Sequence, residues 1–177
     1  TVYLDRLLLK QAPAIALGNA KKELIHLGAY ATQSFEAAFL FFDTADNSYA
    51  EKTELLEDTV NRVDEELTKY LVELSSESLT QHEGEVLSSL LDATRDLERI
   101  GDHSVNLVHL MTYNQFKGVL FSPAAIKEVN QLYSNTHRMV LDALKVIIDN
   151  DTVLAGEVVE RHRELAQSAR QIRKNHI

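Results

Sequence analysis

At 177 residues, 45% of them apolar, the chain suits one domain or two small ones with a sizeable core. A net charge of −9 excludes a general basic surface for nucleic acid or for an anionic membrane. The absence of cysteine excludes disulfides and thiolate metal sites, and no apolar run approaches the ~18 residues of a membrane span.

Residues 1–12 read as a lead-in. Val2, Tyr3, Leu4, Leu7, Leu8 and Leu9 are apolar without a clean period, which fits a short helix or a linker docked on the body. Pro13 suits a helix start. Leu17, Leu24, Leu27, Ala31, Phe35, Ala38 and Phe42 then recur at three- and four-residue steps, predicting a helix from Pro13 to Thr44 with Phe35, Phe39 and Phe42 in its core stripe. After a polar break, Ser48 with Glu51 makes a capping box for a helix to Ser75. Its stripe is Leu56, Val60, Val63, Leu67, Leu71 and Leu74, edged by Glu57, Asn61 and Asp64.

Thr80 and Glu83 form a second capping box, opening a helix to Asn114. At about 100° per residue, Leu87, Leu90, Leu91, Thr94, Leu97, Gly101, Val105 and Val108 share one face. Glu98 falls inside that stripe, with Asp102 one turn on at its edge and Arg95 and Asn106 beside it. A carboxylate among core residues costs several kcal/mol unless it is paired or metal-bound. Two acids at that spacing repel unless a cation lies between them or one is protonated.

Residues 116–121 make a loop holding Gly118. Ser122 caps the next helix with Pro123 at its first position, and Asp149-Asn150-Asp151 breaks it. Thr152 caps a last helix that runs to the end, locally basic through Arg161, Arg163, Arg170, Arg173 and Lys174, a solvated face. The pattern predicts an all-α, antiparallel helical bundle. A repeat with a period near 105 residues pairs Glu23-Leu24-x-x-Leu27 with Glu128-Val129-x-x-Leu132, and Glu54-Leu55-Leu56-Glu57 with Glu157-Val158-Val159-Glu160. One body, 13–177, then holds a complete three-helix unit, 13–114, and a two-helix unit, 122–177, whose third helix is expected beyond Ile177. A first residue other than Met fits the same expectation, a piece of a longer chain.

Helix bundles build metal sites from carboxylates on facing helices. Glu98 and Asp102 on the third helix, with Glu57, Asn61 and Asp64 on the second, are the candidate ligands. Oxygen donors without cysteine suit a divalent metal such as Mg²⁺, Mn²⁺ or Zn²⁺, or iron. Ion pairing with Arg95 or Arg99 explains the acids equally well. The di-iron Glu-x-x-His pattern occurs at Glu23 and His26 without a second copy, since Arg163 follows Glu160. His82, His103, His109, His137, His162 and His176 are scattered and read as surface or cap residues. No phosphate loop, nucleophile elbow or zinc-protease helix is present.

The run Asp96-Leu97-Glu98-Arg99-Ile100-Gly101-Asp102-His103-Ser104-Val105-Asn106-Leu107 resembles the signature helix of the PhoU family, close to "dLERIGDhavNia", with Arg95 fitting the arginine before it. Tyr3-Leu4-Asp5-Arg6-Leu7-Leu8, with Pro13-Ala14 and Ala16-Leu17, resembles the segment joining sodium/phosphate cotransporters to their C-terminal PhoU-like domain. The resemblance implies two tandem three-helix bundles and a non-enzymatic regulator of phosphate uptake on the cytoplasmic face of the cell membrane, this piece alone being soluble. Its partner would be the membrane-embedded transporter part of the same chain, with a homo-oligomer compatible and no nucleic acid. The family's metal motif, an acid followed four residues later by Asp, is met by Glu98 and Asp102, whereas Asn61 stands where an acid would follow Glu57. The alternatives are a free-standing phosphate-signalling regulator and, in a different class, a metal-dependent bundle enzyme.

Overall fold

The structure, a computed structural model, describes residues 2–175. Among them are six helices and no strand: α1 Leu7–Gln11, α2 Pro13–Thr44, α3 Asn47–Ser75, α4 Gln81–Phe116, α5 Pro123–Asp149 and α6 Thr152–Asn175. The all-α helical bundle expected from the periodicity is what forms. The chain divides into two compact units, Thr1–Val108 and His109–Ile177, the division falling inside α4. His176 lies outside the described residues.

Helix ends follow local chemistry. Pro13 opens α2, where a missing N–H costs nothing. At α4 the capping box closes both ways: the Glu83 carboxylate accepts from the Thr80 backbone N–H and hydroxyl, each at 2.8 Å, and the Thr80 hydroxyl accepts from the Glu83 N–H at 3.3 Å. Ser122 caps α5 by accepting from Ala125 N–H at 3.1 Å. Two expected caps are corrected. Asp46, not Ser48, caps α3, accepting from the Ser48 N–H at 2.9 Å. Asp151, not Thr152, caps α6, accepting from the Val153 and Leu154 N–H groups at 3.1 and 3.0 Å. In each pair a fixed carboxylate one or two residues upstream outcompetes the hydroxyl for the first free amides.

The two corrected turns correspond. Ala45 and Asn150 are the positive-φ non-glycine residues among those described, at 58° and 54°. Each ends a long helix in the left-handed conformation, and each is followed by the capping Asp. The pairs Ala45/Asn150, Asp46/Asp151 and Ser48/Val153 are all 105 positions apart, the spacing near which a repeat is expected. The same turn chemistry thus recurs at both hairpins.

In the first unit α2 packs along α3, and the small α1 rests on both. The α2 seam buries Ala16, Leu17, Ala20, Leu24, Leu27, Ala31, Ala38 and Phe41. Phe41, not Phe35 or Phe42, is the fully buried ring, while Phe35, Phe39 and Phe42 are half-buried. From α3 come Val60, Val63, Leu67, Tyr70, Leu71 and Leu74, and Leu56 is only half-buried. The α4 seam is Leu87, Leu90, Thr94, Leu97, Gly101, Ser104, Val108 and Met111, a strict three-four alternation. Its two hydroxyls bond back to their own helix, Thr94 to Leu90 O and Ser104 to Ile100 O, both at 2.7 Å, so neither is left unpaired. In the second unit α5 packs on α6, and neither helix has a fully buried residue among those described. Among the described residues no helix is long and apolar enough to cross a membrane.

Candidate functional site, an acidic seam between two helices

Gly101 sets how closely α4 meets α3. A Cβ there would lie 3.2 Å from Val60 Cγ1 and 3.8 Å from Glu57 Cγ. Glu57 therefore lies against the α4 backbone at Gly101. Glu98 departs from the expectation: it is half-buried on the flank of the seam, not inside it, and Ser104 takes the buried place assigned to Val105. The reason is width. Strict a/d packing buries two positions in seven, a narrower stripe than one drawn at 100° per residue.

Of the other candidates, Glu57 and Asp64 are half-buried, and Asp102 and Asn61 are exposed. Burial pushes the Glu98 carboxyl above the ordinary glutamate range, and the negative charges of Asp102, Asp64 and Glu57 push it further, against a smaller opposing pull from Arg99. Asp64 is also raised, first by burial, with Arg95 opposing and Glu65 adding. The structure thus gathers Glu57, Asp64, Glu98 and Asp102 into one field. The amide of Asn61 donates to Glu57 Oε1, so it steadies that carboxylate. Among the described residues, however, no three His, Asp or Glu side chains converge to hold a metal ion. In this arrangement the seam is a group of mutually repelling acids. Arg99 pairs with Asp96 at 4.0 Å, an exposed contact away from the seam acids.

One acid of consequence escaped the sequence reading as an anchor. Glu23 on α2 is 2% exposed and accepts from the Val2 and Tyr3 backbone N–H groups, both at 3.1 Å. It holds the lead-in on the bundle. Tyr70 of α3 adds a bond from its hydroxyl to Asp5 O at 3.1 Å, and the Tyr3 ring lies 5.2 Å from that of His26. The available signal was position, since Glu23 falls on the face of Ala20, Leu24 and Leu27. His26 therefore serves a ring contact.

No curated protein and no solved structure matches the chain. The family model that does match spans α4 through Met111, α3, and α2 from Leu24 onward, and so takes in every residue of the acidic seam. Over residues 24–111 the chain is similar to the family described as PhoU domain.

Proposed function

We propose that the chain is a non-enzymatic regulatory module of phosphate homeostasis, built as the domain of a sodium-dependent phosphate transporter. The observation that carries the reading is the PhoU domain match over residues 24–111, which contains the run from Asp96 to Leu107. The lead-in supports the finer reading: a segment resembling the cotransporter junction is fastened to the bundle by Glu23 and Tyr70, so a preceding part of the chain would be mechanically coupled to α2 and α3. Glu98, Asp102 and Glu57 are the residues that would hold a divalent cation, with Asp64 supplying further negative charge and Asn61 orienting Glu57.

Deleting the coding segment in its native cells tests the regulatory reading. Phosphate uptake should lose its normal response to external phosphate while sulfate uptake is unchanged, and unaltered phosphate uptake would overturn the reading. Alkaline carbonate extraction of native membranes separates the two regulatory forms. Retention in the membrane pellet is expected for a transporter domain, and release assigns a free-standing regulator. Elemental analysis of the purified chain against Glu98→Ala tests the cation.

A further inference from the structure

The segment joining α4 to α5 is apolar, exposed and held in place. Phe116 is 85% exposed and Leu120 93%, and Leu110, Tyr113, Val119 and Phe121 are also exposed. Such a display at one turn is unusual, because chain reversals are ordinarily polar. The turn itself is well defined. Gly118, at φ +64°, sits just past the helix end, its N–H donating to Gln115 O at 3.0 Å while the Val119 N–H donates to Asn114 O at 2.9 Å. These are the two bonds of a Schellman ending. Four residues later Ser122 and Pro123 begin α5. The apolar side chains are therefore presented to solvent by a turn fixed at both ends.

Charge decides what they face. Between Asp102 and Glu128 the sequence contains no acid, in a chain with 27 of them, and its charged residues there are Lys117 and Lys127. Lys117 Nζ lies 5.7 Å from the Tyr113 ring and 5.8 Å from the Phe116 ring, a cation laid over aromatic faces. Aromatic and aliphatic tips beside a long cationic side chain, on a stretch of sequence without a carboxylate, match the boundary between acyl chains and anionic headgroups. A protein groove would not require the exclusion of acids. At a bilayer surface, buried apolar area and attraction to anionic lipids add.

We propose that residues 110–121 form a membrane-docking tip that inserts Phe116, Leu120 and Phe121 into the surface of an anionic bilayer while Lys117 meets the headgroups. The proposal rests on this turn alone and is independent of the phosphate reading. The test is flotation of the purified chain with phosphatidylcholine vesicles and with mixed phosphatidylcholine–phosphatidylglycerol vesicles. The chain should float with the mixed vesicles and less well with the neutral ones. Phe116→Ser with Leu120→Ser should weaken binding about tenfold or more, as expected for two large apolar side chains kept out of lipid, with helicity unchanged. Lys117→Glu should weaken binding to mixed vesicles only. Failure of the parent chain to float with either vesicle, or flotation of the double variant equal to the parent, overturns the proposal. So does a change from dimer to monomer in lipid-free buffer on the same substitutions, which would assign the tip to a second copy of the chain.

Discussion

Three residues of the first unit carry most of what is specific to this chain. Glu23 holds two backbone amides in a buried setting, and hydrogen bonds to a charged acceptor contribute about 1.5–3 kcal/mol each. Glu23→Ala should cost about 2–4 kcal/mol in denaturant unfolding and speed amide exchange at Val2 and Tyr3. Gly101→Ala sets two effects against each other: alanine gains about 1 kcal/mol of helix propensity, while pressing a Cβ on the fully buried Val60 costs about 1–3 kcal/mol. A net loss is expected, turning into a gain when Val60→Ala is also present, so a double-mutant cycle reads the contact directly. Glu98 gives the pH dependence. Its folded pKa, like that of Asp64, is raised, so the folded chain binds these protons more tightly than the unfolded one. On their account stability falls as pH rises from the ordinary carboxylate value through the raised one, and the penalty is fully present above it. Glu98→Gln should therefore raise the thermal midpoint at neutral pH and flatten the stability profile in the mildly acidic range.

At the scale of the element, the helix boundaries test the corrected caps. Asp46→Ala should destabilise more than Ser48→Ala, because it is the Asp46 carboxylate that accepts from a free first-turn amide, the Ser48 N–H. The Asp46 and Glu83 carboxyls are held below their ordinary values by the amides and hydroxyls they accept from. Their contribution is present above the ordinary value and lost as pH falls through the lowered one, opposite in sign to that of Glu98. Thr80→Ala should cost about 1 kcal/mol, measured in the unfolding of the first unit. The α4 seam explains why a serine and a threonine are tolerated in it: each hydroxyl is satisfied within its own helix, so no partner on a neighbour is needed.

At the scale of the molecule, burial is distributed unevenly. The first unit carries the closely packed seams of α2, α3 and α4, while α5 and α6 pair through half-buried residues only. Buried apolar area is the main source of protection against local opening. Hydrogen exchange should therefore show the amides of α5 and α6 exchanging about tenfold or more faster than those at the centres of α2 and α3. Equal protection across both units would contradict this account.

What the sequence by itself determined is what is local. Pro13, the Thr80–Glu83 box and Ser122 with Pro123 announce helix starts because a cap is satisfied within a few residues of itself. The heptad-like spacing of leucines announces a bundle for the same reason, being a property of one helix at a time. Even the choice of Asp46 over Ser48 turns on two neighbouring side chains, and it was missed only because both are good caps. Tertiary structure decided the rest. Whether Glu98 is inside the seam or beside it depends on how close α4 comes to α3, and that distance is set at Gly101 by Val60, 41 residues earlier in the chain. That Glu23 binds Val2 and Tyr3 depends on the lead-in folding back across α2, which no periodicity records. A carboxylate's charge is written in the sequence, but the water it loses and the partner it gains are set by the packing of other helices.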